Sequence, residues 1–425
     1  MKLIIEKTEE ISGEAAVPSS KSHTIRGFIF ASLADKKSIL HNVLESDDTK
    51  ATINACTSLG AEINKIDNGE FEIVGFDRYP EIRKTEINTL NSGTTTNFIT
   101  SVAALANKKI VIDGDESIRR RPVEPLLSAL RNLGAQAVSL KKNGCPPIEI
   151  KGRMKGGKTT LDCRSSQYLS SLLICCPLLQ QDTEIEIINC CEIPYIEMTL
   201  KWLDELNIKY RNKDFNEVLI YGNQKYSSFE KRIPSDWSSA TFLIASAAMI
   251  GDNVTIRDLD PNDSQADRYV LDYLHNMGAE IKVEGKNITI TKSRLHGCEL
   301  DLNNTPDALP TMAVLGCYAE GTTILKNVAH ARIKETDRIK VMTEELSKMD
   351  ANIEETDDGM IIQQSQLKGA KLGGYYDHRI VMALSLAGMI ADGRTEIDTA
   401  EAIKVTFPNY VDIMKNLGAK MSLED

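Results

Sequence analysis

The sequence predicts an α/β protein of two domains, each assembled from three β-α-β-α-β-β units. The first of three supporting observations is a short phrase that recurs along the chain. It reads SLGAEI from Ser58, NLGAQA from Asn132, ELNIKY from Glu205, NMGAEI from Asn276, KMDANI from Lys348 and NLGAKM from Asn416. Its apolar second residue falls at Leu59, Leu133, Leu206, Met277, Met349 and Leu417, at intervals of about seventy residues. The second is a polar opening before an Ala- and Leu-rich run, which repeats in step with that phrase. The third is a single interruption at 226–236 (YSSFEKRIPSD), where polar residues and proline punctuate the pattern. Units of this size exceed the roughly 20–45 residues of a solenoid repeat, so a division of three and three between two domains is expected. The first domain is expected to span 19–235. The second takes 1–18 and 236–425, because the N-terminal strand precedes the first polar opening.

The elements follow from local pattern. The six openings are SKSHTIR at Ser20, NSGTTTN at Asn91, SSQYLSS at Ser165, SDWSSAT at Ser235, PDALPT at Pro306 and DHRIVM at Asp377. Ser, Thr and Asp accept hydrogen bonds from unpaired first-turn N–H groups, so each opening predicts a helix N-terminus. Such an end presents free N–H groups and a positive dipole, which suits an anion. Ahead of the recurring phrase, Leu126, Leu130, Leu133 and Trp202, Leu203, Leu206 keep helical spacing. Where the phrase carries Gly, that residue ends the helix by adopting the left-handed conformation. Alternation then predicts strands, as in Ile281, Val283 and Ile288, Ile290. If the opening helices of each half run parallel, their positive ends converge on a cleft suited to anionic small molecules.

Composition narrows the function. The 425 residues are 26% charged and 42% apolar, an ordinary globular balance. A net charge of −11 argues against nucleic acid or an anionic membrane as partner, since both demand a broad basic surface. No apolar run approaches the ~18 residues of a membrane span, and MKLIIEKTEE carries charge where a signal peptide is apolar. Nine cysteines, with adjacent pairs at Cys175–Cys176 and Cys190–Cys191 and no CxxC, read as reduced thiols. A cytoplasmic protein is expected, acting as a monomer because no coiled-coil pattern or apolar stripe calls for a partner. No histidine pair has metal-binding spacing, and neither GxSxG nor GxGxxG occurs, so neither metal nor cofactor is expected.

Basic residues cluster at the openings. PSSKSHTIR from Pro18 places Lys21, His23 and Arg26 among serines, and Arg119–Arg121 puts three guanidinium groups before a helix. KETDR groups Lys334, Glu335 and Arg338, with Arg332 nearby, and DHR brings in Arg379. Arg recognises phosphate and carboxylate through a bidentate fork, so Arg121, Arg338 and Arg379 are expected anion ligands. Taken singly, each also reads as surface charge. Asp307 replaces the small polar opener of the other units, and an ionised carboxylate there can take a proton from a hydroxyl; a plain N-cap is the alternative. Gly152–Thr159 (GRMKGGKT) matches the P-loop pattern, but TTLDC after it alternates as a strand. A P-loop needs a helix at that point, so a turn between strands is expected instead.

The set PSSKSHTIR, NSGTT, RRRPVEPL, SSQYL, PDALPT, IKETDRI, DHRIVMAL and VTFPNY resembles the 5-enolpyruvylshikimate-3-phosphate synthases, or 3-phosphoshikimate 1-carboxyvinyltransferases, of the enolpyruvyl transferase family. The resemblance runs in order from Pro18 to Tyr410. It implies an inside-out α/β barrel in each of two domains, with helix N-termini facing an interdomain cleft. It also implies transfer of the enolpyruvyl group of phosphoenolpyruvate to the 5-hydroxyl of shikimate 3-phosphate, by addition and elimination. On this resemblance Lys21, Ser22, Arg26, Ser165, Ser166, Gln167, Asp307 and Lys334 hold shikimate 3-phosphate. Lys21, Gly93, Arg121, Gln167, Arg338 and Arg379 hold phosphoenolpyruvate. Asp307 is the base for the 5-hydroxyl, Glu335 transfers a proton at the methylene carbon, and Lys21 touches both substrates. The UDP-N-acetylglucosamine enolpyruvyl transferases resemble the chain less: they have Lys-Asn where Lys21–Ser22 stands and a Cys in the loop that here reads DGDESIRRR.

Four positions depart from the family pattern. Many members have Arg at Asn97, Ser at Glu192, Lys at Val405 and Asn at His330. The first three lie on the anion side and motivate an alternative, an enolpyruvyl transferase of altered acceptor. A second alternative, a non-catalytic anion-binding scaffold, does not need the two carboxylates Asp307 and Glu335.

Overall fold

Six four-stranded sheets carry the fold, and each has the same mixed order. The computed structural model describes residues 1–425. It divides into two units, Met1–Pro18 with Ser235–Asp425, and Ser19–Pro234. Within the second unit the strand Glu86–Asn88 leads through the helix Gly93–Ala103 to a parallel neighbour, Ile110–Asp113. The helix Glu124–Asn132 then leads to Gln136–Ser139, which turns back as Ile148–Lys151 and pairs antiparallel with both neighbours. That is one β-α-β-α-β-β unit, and Gly157–Ile220 repeats it with the same pairings.

Glu299–Gln363 repeats it again in the other unit, and the remaining three repeats borrow strands from distant sequence. Lys37–His41 takes its parallel partner from Glu230–Arg232, the last strand of the Ser19–Pro234 unit. In the other unit Ile11–Ala16 pairs parallel with Gly251–Arg257, while Lys2–Ile5 lies between Thr395–Ile397 and Met421–Glu424. The N-terminal residues therefore serve two sheets of one unit.

The recurring phrase has a single backbone cause. The residue after its apolar position has positive φ in all six copies: Gly60 (122°), Gly134 (103°), Asn207 (58°), Gly278 (91°), Asp350 (66°) and Gly418 (109°). Only Gly, and less readily Asn and Asp, enters this region cheaply, which explains which residues stand there.

The opening helices are buried nearly all round. Every residue from His23 to Leu33 is buried, as is every residue of Trp237–Ile250 except Ser238. Helices apolar on all faces belong in an interior, and each large side chain so buried contributes about 1.5–3 kcal/mol. Ser20, Ser92, Ser165, Asp236 and Asp377 cap their helices through side-chain acceptance of N–H bonds. The fifth opening, PDALPT, differs. The cap of Leu309–Tyr318 is Ala308, with no side-chain bond, so Asp307 precedes the cap and its carboxylate is committed elsewhere. At the P-loop match, Gly152–Gly156 joins two strands and Lys158 lies in the second, paired with Glu184; no helix follows. No helix is long and apolar enough to cross a membrane.

Candidate functional site

The Ser19–Pro234 unit gathers one group of functional side chains at the starts of three opening helices. Lys21 begins the first helix, with Nζ 3.1 Å from Asp48 Oδ2. Arg26, one turn on, is 2% exposed. Its Nε donates to Thr199 Oγ1 (2.9 Å), Nη1 to the Ser22 carbonyl (3.1 Å) and Nη2 to the Tyr195 carbonyl (3.0 Å). The guanidinium also lies 5.1 Å from the Phe98 ring centroid. These acceptors are all neutral, and burial pushes the guanidinium down to about 9. A buried cation among neutral acceptors is unfavourable without an anion.

The second helix start carries Gly93 and Arg121 as a pair. Arg121 Nη2 donates to Ser117 Oγ (2.9 Å), and its Nη1 lies so close to Gly93 that a Cβ at that position would collide with it. Glycine leaves room here for that close approach, and a larger residue would push the guanidinium aside. Of the arginine triplet, Arg119 is taken by Asp113 (2.7 Å) and Glu116 (2.8 Å), Arg120 is exposed, and Arg121 alone meets this helix start.

The third start is tied to the second. Gln167 Nε2 donates to Thr94 Oγ1 (3.1 Å), and Asn97 Nδ2 donates to Gln167 Oε1 (2.7 Å). Ser165 caps the helix by accepting from Gln167 N (3.4 Å). Ser166 is buried, and both its N–H (3.1 Å) and its hydroxyl (2.6 Å) donate to Glu192 Oε2.

In the Met1–Pro18 and Ser235–Asp425 unit, Arg338 is the centre of a carboxylate network. It is 1% exposed. Its Nη1 meets Asp307 Oδ1 (2.7 Å), Nη2 meets Glu335 Oε2 (2.6 Å) and Asp377 Oδ1 (3.3 Å), and Nε meets Asp377 Oδ2 (2.8 Å). Arg379 Nη2 lies 2.9 Å from Asp307 Oδ2, so Asp307 bridges two guanidinium groups. Burial alone would raise the Asp307 carboxyl, but Arg379, Arg338 and Lys334 hold it far below the usual carboxylate range. The same network drives the Arg338 guanidinium up, burial acting against Asp377, Glu335 and Asp307. Arg332 turns away to Asp337 (2.9 Å) and Glu355 (3.4 Å).

Two participants were not among the expected site residues. Asp377, fully buried, caps its helix through Arg379 N–H (2.9 Å) while holding Arg338. Asp48 answers Lys21. Asp377 was readable as an acidic opener beside two basic residues, whereas nothing local marks Asp48. Of the departures, His330 is buried with Nε2 3.1 Å from the Asn303 carbonyl, and Val405 ends a short 3-10 turn beside exposed Lys404.

The first group can seat anions, and the second keeps carboxylates ionised beside arginines. Residues 5–414 match the family model described as EPSP synthase (3-phosphoshikimate 1-carboxyvinyltransferase). The chain is similar to the 3-phosphoshikimate 1-carboxyvinyltransferase of Acetivibrio thermocellus, 49% identical over 416 residues and 98% of each chain. It is 46% identical to that of Ruminiclostridium cellulolyticum over 423 residues, the whole of both chains. The enzyme of Methanocaldococcus jannaschii is 41% identical over 428 residues, 99% of each. A solved structure of EPSP synthase from Acinetobacter baumannii aligns with a TM-score of 0.83 at 25% identity, covering all of both chains.

Proposed function

The chain belongs to the EPSP synthase family and transfers the enolpyruvyl group of phosphoenolpyruvate to shikimate 3-phosphate in the shikimate pathway, and we propose how its residues share that work. Lys21, Ser22, Arg26, Ser165, Ser166, Gln167 and Lys334 hold the acceptor. Lys21, Gly93, Arg121, Gln167, Arg338 and Arg379 hold the donor. Asp307 takes the proton of the acceptor's 5-hydroxyl as its oxygen adds to C2 of phosphoenolpyruvate, while the methylene carbon gains a proton through Glu335. Loss of that carbon's proton then expels phosphate from the tetrahedral intermediate and restores the double bond.

The observation that carries this reading is Asp307 bridging Arg338 and Arg379 at 2.7 and 2.9 Å, with Glu335 on the same Arg338. Two proton-transfer groups thus share the arginines proposed to hold the donor. Donor anions drawn to those arginines compete with Asp307 for them. The competition raises the proton affinity of Asp307 when a base is needed. Gly93 supports the donor assignment of Arg121, since any larger residue would displace the guanidinium. Arg26, buried among neutral acceptors, supports an anionic acceptor. The reaction is assigned to the cytoplasm, where nine unbridged cysteines are stable.

The test is phosphate release from phosphoenolpyruvate by the purified protein, with and without shikimate 3-phosphate. Release that requires shikimate 3-phosphate is expected. Release that ignores it, or occurs only with another hydroxyl acceptor, would overturn the reading.

A further inference from the structure

Glu192 holds a place in the chain that its own helix does not explain. It precedes the helix Ile193–Glu205, yet its carboxylate makes no capping bond there. Its backbone sits at φ 57°, ψ 40°, a left-handed conformation that residues other than Gly, Asn and Asp rarely adopt. The side chain instead reaches a different helix, Ser166–Cys175, where Oε2 accepts both the Ser166 N–H (3.1 Å) and the Ser166 hydroxyl (2.6 Å). The residue is 2% exposed. A backbone N–H at a helix start combined with a hydroxyl is a phosphate-binding arrangement, and here a carboxylate oxygen fills it.

We propose that Glu192 is a specificity-determining residue, an internal anion on the Ser166 N–H and hydroxyl that the acceptor's phosphate must displace to bind. This rests on the assignment of Ser166 to shikimate 3-phosphate. The fixed carboxylate sets the phosphate affinity by competition: it keeps the Ser166 donors satisfied and repels a second anion that approaches without displacing it. A unit charge about 4 Å from the phosphate, at an effective dielectric of about 20, changes affinity by well over tenfold.

The test compares steady-state KM values for both substrates in the wild type, Glu192→Gln and Glu192→Ser. Gln keeps an oxygen for the Ser166 N–H and removes the charge; Ser removes the group. Both are expected to lower the KM for shikimate 3-phosphate at least about tenfold, while the KM for phosphoenolpyruvate moves less than about twofold. Preference for shikimate 3-phosphate over unphosphorylated shikimate should rise by the same factor. An unchanged or raised KM for shikimate 3-phosphate in both variants would overturn the proposal. So would loss of the folded state in both, since the carboxylate would then be a structural group. A wild type that does not use shikimate 3-phosphate fails the functional reading itself, whereas altered variants of an active wild type bear on Glu192 alone.

Discussion

Replacing Arg338 by Met tests how the carboxylate network is held together. Arg338 makes four hydrogen bonds to Asp307, Glu335 and Asp377 at 2.6–3.3 Å, and Asp377 is fully buried beside it. Met fills similar volume but leaves three carboxylates facing one another. Removing one partner of a buried ion pair costs about 3–5 kcal/mol, because the remaining charge is neither solvated nor paired. The wild-type contribution of Asp307 has a definite pH window. Its folded-state pKa is depressed, so its stabilisation is complete above the unfolded value near 4 and is lost only as pH falls below that. In Arg338→Met the same carboxylates repel, Asp307 loses one of the cations that hold it down, and folding takes up protons as pH falls. The stability difference is therefore expected to be about 3–5 kcal/mol at pH 7 and smaller at pH 5. Trp202 and Trp237 lie in different units, so urea unfolding followed by fluorescence in a Trp202→Phe background reports on the unit that contains Arg338. A loss below about 1 kcal/mol at pH 7, or a difference that does not narrow toward pH 5, would refute the reasoning.

Three further outcomes follow from the same geometry. Arg26→Met removes a buried cation that has neutral partners, so stability should fall by no more than about 1 kcal/mol or rise, while the KM for shikimate 3-phosphate increases at least about tenfold. Steady-state kinetics with urea unfolding checks both arms. Gly93→Ala should raise the KM for phosphoenolpyruvate about tenfold or more through the collision with Arg121, with little change for shikimate 3-phosphate. Lys158→Ala should leave turnover unchanged and calorimetry should show no ATP binding to either protein, because Lys158 lies in a strand paired with Glu184.

What was legible in the sequence was local. The sixfold phrase could be read because each copy records one backbone requirement, a positive φ, that only Gly, Asn or Asp meets cheaply. The opening helices could be read because apolar runs followed a short polar cap. The β-α-β-α-β-β order emerges from those two signals together with the apolar alternation that follows each phrase. Long-range pairings were not legible. Nothing near Glu230–Arg232 announces that it completes the sheet of Lys37–His41, and Lys2–Ile5 gives no sign of pairing with Met421–Glu424. The site divides in the same way. Gly93, Arg121 and Arg338 carry motif signals, but the reach of Glu192 to Ser166 depends on a left-handed turn that its residue type does not favour. Asp307 shows the limit of residue type as a guide. Its position at an opening suggests a cap, while its carboxylate spans two arginines and leaves the cap to Ala308.

The most direct measurement on the central claim, that Asp307 is the base, is the turnover of Asp307→Asn alongside its affinity for shikimate 3-phosphate. Asn keeps the shape and the oxygen facing Arg338 but cannot accept the hydroxyl proton. A kcat lower by roughly 10²–10⁴, with shikimate 3-phosphate bound within a few-fold of wild type, is expected. Turnover within about tenfold of wild type would contradict the assignment and move the base elsewhere.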